Sequence, residues 1–149
     1  MMRIGIAADH EGFGIEAQLE DSLVTSGYEV VDFGVHVLDL EDDYPDFIIA
    51  LAKAVAARDV ERGIALCGSG IGASVAANKV LGVRARLIHD VFSAHQGVED
   101  DDINIFYSRG KVIGTAPAWE VVETFLASRF IGSGQFRRRL AKIEAVEHK

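Results

Sequence analysis

The sequence predicts an α/β fold in which helices cover both faces of a mainly parallel β-sheet. Short apolar runs alternate with amphipathic segments of helical length along the 149 residues, which is typical of right-handed βαβ units. Hydrophobic residues make up 49% of the chain, enough to form a buried core, and the length is that of one domain. We therefore expect a single domain over residues 1–149.

The individual elements follow from local patterns. An apolar run over residues 3–8 leads into a helical segment over 14–26, in which Ile15, Leu19 and Leu23 recur at helical spacing. A strand over 28–33 precedes a helix that Tyr44 and Pro45 open, since proline is accepted in a first turn. The remaining elements are strands over 63–67, 83–89 and 103–107, an alanine-rich helix ending at Val80, helices over 91–98, 118–130 and 136–146, and a short strand or strand extension over 111–114.

Composition and charge exclude several classes of function. The net charge of −8 disfavours nucleic acid and anionic lipid as partners, and no stretch approaches the roughly 20 apolar residues of a membrane span. A single cysteine cannot form an internal disulfide, and the first residues lack the features of a signal peptide. We expect a cytoplasmic protein without membrane or nucleic-acid partners.

The segment from Cys67 to Gly72 (Cys-Gly-Ser-Gly-Ile-Gly) is the most informative motif. Its three alternating glycines allow backbone N–H groups to approach a ligand where a helix begins, as in an oxyanion or phosphate site. The positive end of that helix would favour the thiolate form of Cys67. A buried, inert cysteine is the equally good alternative, since free cysteines are commonly buried.

Other polar residues also fall at predicted strand ends. Ligands of parallel sheets bind at the carboxyl ends of the strands, so Asp9-His10, Cys67-Gly68 and His89-Asp90 should lie along one edge. Asp9 and His10 could contact sugar hydroxyls and a phosphate or exchange a proton. A helix-capping aspartate beside a surface histidine is the plainer interpretation of that pair.

Two charged runs occupy unfavourable helix positions. The acids over residues 99–102 are expected just after a helix, and the three arginines over 137–139 in the first turn of the last helix. Both placements oppose the helix dipole, which suggests a ligand, cation or neighbouring subunit at the acids and a phosphate at the arginines. Solvated surface charge is the alternative for each.

Taken together, these motifs resemble the ribose-5-phosphate isomerase B family, which includes the galactose-6-phosphate isomerase subunits. The resemblance runs over nearly the whole chain, and its carriers are residues 6–10, 32–34, 43–46, 67–72, 76–80, 89–90 and 112–114. It implies a three-layer Rossmann-like sandwich and an enzyme that interconverts an aldose phosphate and its ketose. It further implies an active site at the interface of a homodimer or tetramer, with neither cofactor nor metal.

The resemblance also implies roles for individual residues. Cys67 would be the base that removes and returns the carbon-bound proton, and Ser69 would pass protons between the two oxygens. Some members carry a glutamate base in this loop, but Ala73 stands there and supports Cys67. The other implied contacts are Asp9, a catalytic residue that also touches the sugar, and the substrate-binding residues His10, Tyr44, Gly68, Gly70, Gly72, Lys111, Arg138 and Arg139.

Three positions depart from the family pattern, and the usual pair of arginines in the tail is blurred, with Gln135 at or near the first and Arg139 at the second. Asp100 replaces the usual ring-opening histidine, Asp101 replaces a substrate-binding asparagine, and Lys111 replaces a phosphate-binding arginine. Asp100 remains a candidate catalytic acid or base and Asp101 a candidate substrate ligand. Ribose 5-phosphate is the first candidate substrate. The alternatives are a phosphosugar of tetrose or hexose length, or a non-catalytic sugar-phosphate-binding subunit.

Overall fold

A computed structural model shows a five-stranded sheet between two layers of helices. The structure describes residues 2–9, 13–34, 43–66, 68, 71–108 and 116–148. The strands are β1 (Arg3–Ala8), β2 (Glu29–Asp32), β3 (Arg62–Leu66), β4 (Ala85–Leu87) and β5 (Ile105–Ser108). The helices are α1 (Phe13–Thr25), α2 (Tyr44–Ala56), α3 (Ile71–Asn78), α4 (Val91–Asp101), α5 (Ala116–Ala127) and α6 (Gly134–Glu147).

All five described strands run parallel, in the order β2-β1-β3-β5-β4. Because they are parallel, their carboxyl ends share one edge, called here the carboxyl edge, and their starts share the opposite amino edge. β3 lies in the middle of the sheet and is buried along its whole length. The predicted α/β sandwich is confirmed, and the sheet is fully parallel in the described part of the chain.

Successive side chains of each strand point to opposite faces of the sheet, and this divides the core into two layers. On one face, Ile4, Ile6 and Ile64 pack with α1, α4 and α5. On the other face, Ala7 and Ala65 pack with α2 and α3. The helices therefore cover both faces of the sheet, as expected for parallel strands. None of the described helices is long and apolar enough to cross a membrane.

Leu51 of α2 fits into a hollow formed by two glycines. Gly5 and Gly63 are paired across β1 and β3, and Leu51 is fully buried. A Cβ added at Gly5 would lie 2.6 Å from Leu51 Cδ1, and one at Gly63 would lie 3.0 Å from the same atom. Helix α2 can approach the sheet closely because both positions lack a side chain.

Several helix ends differ from the sequence-based expectations, and two of the differences move charged residues. The acidic run does not follow α4 but forms its last turn, because Asp102, with φ of 53°, ends the helix in a left-handed conformation. α6 begins at Gly134, so Arg137 lies in its first turn while Arg138 and Arg139 lie in the second. The strand predicted over 83–89 is shorter, and residues 111–114 fall outside the described residues.

Candidate active site

Asp9 and Gly68 meet at the carboxyl edge, where β1 and β3 end side by side. The Asp9 backbone N–H donates to Leu66 O at 3.2 Å, which extends the β1–β3 pairing by one residue. The Asp9 carboxylate in turn accepts a hydrogen bond of 3.4 Å from Gly68 N. Asp9 is only 8% exposed. The structure thus holds a nearly buried carboxylate against the Gly68 amide, and Gly68 is the residue between Cys67 and Ser69 in the sequence.

Tyr44 lies against the other end of the glycine segment. A Cβ added at Gly72 would lie 2.8 Å from Tyr44 Cζ and would overlap the phenol oxygen, so only glycine allows this contact. Tyr44 is the first residue of α2 and Gly72 the second of α3, and both helices start from the carboxyl edge. Tyr44 as a whole remains 38% exposed.

Five of the predicted site residues lie outside the described residues, namely His10, Cys67, Ser69, Gly70 and Lys111. Their roles stay predictions. Within the described residues, no three His, Cys, Asp or Glu side chains come together as metal ligands would.

Asp100 and Asp101 lie at the opposite, amino edge of the sheet. Helix α4 starts beyond the carboxyl end of β4 and runs back along the sheet, so its last turn reaches the starts of β4 and β5. The next residue, Asp102, forms an ion pair of 3.0 Å with Arg84, which directly precedes β4. Within one chain, these acids are therefore separated from Asp9.

Arg138 and Arg139 are exposed on α6, which is also attached to the amino edge. The Glu147 carboxylate near the end of α6 accepts hydrogen bonds of 3.1 and 3.2 Å from Gly82 N, just before β4. A groove of about 610 Å³ lies between α6 and this edge. Five arginines line it, Arg58, Arg62, Arg84, Arg129 and Arg137, together with the acids Glu61, Asp102 and Glu144.

The described part of the predicted site therefore forms two separate halves. β3 has five residues, so the two edges lie roughly 15 Å apart at about 3.3 Å per residue. Asp9, Gly68, Tyr44 and Gly72 belong to the carboxyl edge. Asp100, Asp101, Arg138 and Arg139 belong to the amino edge, too far away for one small sugar phosphate to touch both groups in one chain.

The remaining polar candidates have structural partners. Asp90 caps α4 by accepting a hydrogen bond of 2.7 Å from Ser93 N, and the bonds from Ser93 lower the pKa of this exposed carboxyl. His95 contacts Glu99 at 3.0 Å and Ser128 at 3.2 Å, between the two ends of α4. His89 is exposed next to Asp90.

Sequence reasoning missed a buried acid beside the site. Glu16 is 5% exposed, and burial, followed by a hydrogen bond and the charge of Asp32, raises its pKa from 4.5 to about 8. The signal was present in the sequence, since Glu16 shares a helical face with Leu19 and Leu23. An acid on the core-facing side of a helix is unusual and deserved to be singled out.

Comparison with known proteins agrees with the class that this fold defines, an α/β protein with a parallel sheet covered by helices on both faces. The family model for Ribose/Galactose Isomerase matches residues 4–143. The chain belongs to this family and is a sugar-phosphate isomerase.

Two named relatives cover nearly the full chain. The sequence is 34% identical over 149 residues to ribose-5-phosphate isomerase B of Escherichia coli, covering 100% of this chain and 99% of that protein. It is 33% identical over 149 residues to D-erythrulose-4-phosphate isomerase of Pectobacterium atrosepticum, covering 100% of this chain and 97% of that protein.

Solved structures show the same fold. Ribose-5-phosphate isomerase B of Clostridium thermocellum superposes with a TM-score of 0.91 at 39% identity, covering 99% of this chain and 98% of that one. The enzyme of Mycoplasma genitalium, solved with bound ribulose-5-phosphate, superposes with a TM-score of 0.91 at 34% identity, covering 99% and 97% of the two chains.

Proposed function

We propose that this single-domain chain interconverts ribose 5-phosphate and ribulose 5-phosphate in the cytoplasm. The observation that carries the proposal is the contact between Asp9 and Gly68, which joins a nearly buried carboxylate to the Cys67–Ser69 segment. The names of the relatives support the same pair of sugars, as does the ribulose-5-phosphate bound to the Mycoplasma genitalium enzyme.

The proposed reaction moves one proton between neighbouring carbons. The Cys67 thiolate removes the proton from C2 of the open-chain aldose, and the electron pair forms an enediolate. Backbone N–H groups of the glycine segment stabilise its negative oxygens, as in other oxyanion sites. Ser69 passes a proton between O1 and O2, and Cys67 returns its proton to C1 to give the ketose. Asp9 orients a sugar hydroxyl.

A second copy of the chain completes the active site in this proposal. The amino-edge half contributes the exposed guanidinium groups of Arg138 and Arg139 for the phosphate, whereas Asp9, Gly68, Tyr44 and Gly72 of the carboxyl-edge half carry no positive charge. Three apolar side chains near the same end of α3 and α4 are unusually exposed, Ile71 at 66%, Val75 at 57% and Phe92 at 70%. Contact with a partner subunit would remove them from water.

A substrate panel tests the proposed activity. The purified protein is assayed with ribose 5-phosphate, a tetrose 4-phosphate and hexose 6-phosphates, and we expect the highest kcat/KM on ribose 5-phosphate. Higher kcat/KM on the tetrose would establish the runner-up, which the Pectobacterium atrosepticum relative also supports. Binding without turnover of any sugar would identify a non-catalytic subunit.

Asp100 and Asp101 should influence the choice of substrate. Carboxylates accept hydrogen bonds from sugar hydroxyls but repel a nearby phosphate, so the phosphate should point toward the arginines. Opening of the sugar ring would then be catalysed by Asp100, Asp9 or His95. Alternatively, the enzyme would prefer sugars that are already in the open-chain form. We expect the Asp100→His, Asp101→Asn double variant to raise the ratio of kcat/KM for ribose 5-phosphate over erythrose 4-phosphate, which forms no stable furanose. An unchanged ratio would show that neither residue touches the substrate.

Arg139→Ala should weaken phosphosugar binding. Loss of one charge-assisted contact costs roughly 1.5–3 kcal/mol, which corresponds to a KM increase of about tenfold to a hundredfold. Lys142→Ala removes the same charge one turn further along α6 and serves as the control. If both variants change KM equally, the effect is one of general charge and Arg139 makes no specific contact.

A further inference from the structure

Glu16 is a buried acid that the proposed reaction does not use. It lies on the face of α1 that packs on the sheet, with Leu19 and Leu23 in the core on the same face. Its Oε1 atom has no hydrogen-bond partner and no contact with solvent. An ionised carboxylate is costly in such a place, whereas a protonated carboxyl group is tolerated.

The Glu16 carboxyl group packs against the ends of β1 and β2. A Cβ added at Gly34 would overlap Glu16 Oε1 and would lie 2.9 Å from the backbone nitrogen of Ala8, the residue before Asp9. Gly34 N also donates a hydrogen bond of 2.7 Å to the Asp32 side chain. Movement of the Glu16 carboxyl group toward Gly34 would therefore displace the backbone there, which lies against the strand that leads to Asp9.

Among the described residues, the charged groups that raise the pKa of Glu16 are acidic. Asp32 at the end of β2 shares a side-chain hydrogen bond with Glu16, and Glu20 lies one turn further along α1. β1, the other element packed against α1, presents the apolar side chains of Ile4, Ile6 and Ala8 to this face. Burial, the bond to Asp32 and these negative charges raise the pKa of Glu16 to about 8, so Glu16 is mostly protonated near neutral pH.

We propose that Glu16 is a positioning residue that, while protonated, holds the end of β2 against the end of β1 beside Asp9, and that loss of this proton disturbs the substrate site. Without the proton, two carboxylates face each other in a buried space and repel. The turn at Gly34 and the Ala8 amide then shift, and Asp9 shifts with them. The catalytic part of this inference rests on the proposed isomerase activity.

Thermal unfolding tests the proton on Glu16 without any substrate. Unfolded Glu16 ionises near 4.5 and folded Glu16 near 8, so the wild type loses stability as the pH rises through this window and levels off above it. Glu16→Gln keeps a donor and cannot ionise. We expect the unfolding midpoint of Glu16→Gln, relative to wild type, to rise by about 5 °C or more between pH 5 and pH 9.

Asp21→Asn is the matched control, since it removes an exposed negative charge from the same helix that does not act on Glu16, and it should show no such rise. If the difference between Glu16→Gln and wild type stays constant from pH 5 to pH 9, Glu16 does not hold the proton and the proposal is overturned.

Turnover tests the positioning role. At temperatures well below unfolding, the ratio of kcat/KM on ribose 5-phosphate for Glu16→Gln over wild type should rise about tenfold between pH 7 and pH 9.5, because only the wild type loses the positioning proton. A flat ratio would restrict Glu16 to stability and overturn the positioning role. If the wild type turns over no sugar phosphate, the proposed function fails, while the unfolding comparison still decides whether Glu16 is protonated.

Discussion

Cys67→Ala is expected to abolish proton transfer while the protein stays folded. The wild type should incorporate solvent deuterium into the sugar phosphate, because the proton on the base exchanges with water before it returns to carbon. Loss of a general base typically lowers a rate by about 10²–10⁴-fold, and this residue would make both the removal and the return of the proton. Exchange should fall by at least about a thousandfold, measured by proton NMR in deuterated buffer.

Cys67→Ser separates the acidity of the side chain from its size. A serine hydroxyl keeps the shape and hydrogen bonding of the thiol but ionises far less readily, so it should fail as a base almost as completely as alanine. An unchanged unfolding midpoint would exclude loss of fold as the cause. Wild-type exchange rates in either variant would assign the proton step to another residue.

Complementation between subunits is expected to restore activity to two inactive variants. Cys67→Ala damages only the carboxyl-edge half of the site, and the Arg138→Ala, Arg139→Ala double variant damages only the amino-edge half. If each site combines one half from each chain, a mixed dimer contains one intact site and one doubly damaged site. Random pairing makes half of the dimers mixed, so co-refolded chains should recover about a quarter of wild-type activity at low substrate concentration.

A matched pairing tests the geometry of this result. Cys67→Ala mixed with Asp9→Asn places both lesions in the same half, so no combination of subunits produces an intact site. This mixture should recover nothing. The mixture of Cys67→Ala with the Arg138→Ala, Arg139→Ala double variant decides the outcome. If its activity is only the average of the activities of its two parents, each active site lies within one chain and the two-chain arrangement is wrong.

The fold was predictable because its determinants are local and periodic. The spacing of Leu19 and Leu23 indicates the buried face of α1, and the predicted strand over 3–8 matches β1. Helix ends were harder, since α4 ends with Asp102 in a left-handed conformation that aspartate adopts only occasionally. The order of the strands depends on long-range pairing, which periodicity does not record.

The edge of the sheet on which each candidate site residue lies could be predicted only in part. Asp9, Gly68 and Gly72 could be assigned to the carboxyl edge because each follows a predicted parallel strand. Asp100 lies in the last turn of α4 and Arg139 in the second turn of α6, so the edge on which each lies depends on how those helices pack on the sheet. Glu16 could not be found from apolar periodicity alone, because that pattern identifies the apolar side chains of a helical face and not an acid at the same spacing.

The fit of Leu51 between Gly5 and Gly63 also bears on how this sequence can change. A larger residue at either glycine collides with Leu51, and a smaller residue at position 51 leaves a cavity between α2 and the sheet. Each single substitution is therefore expected to lower the stability of the fold, even where a combined replacement of the three residues would pack well. We expect the three positions to be inherited as a unit among related sequences, and directed evolution that varies them one at a time to reject every change.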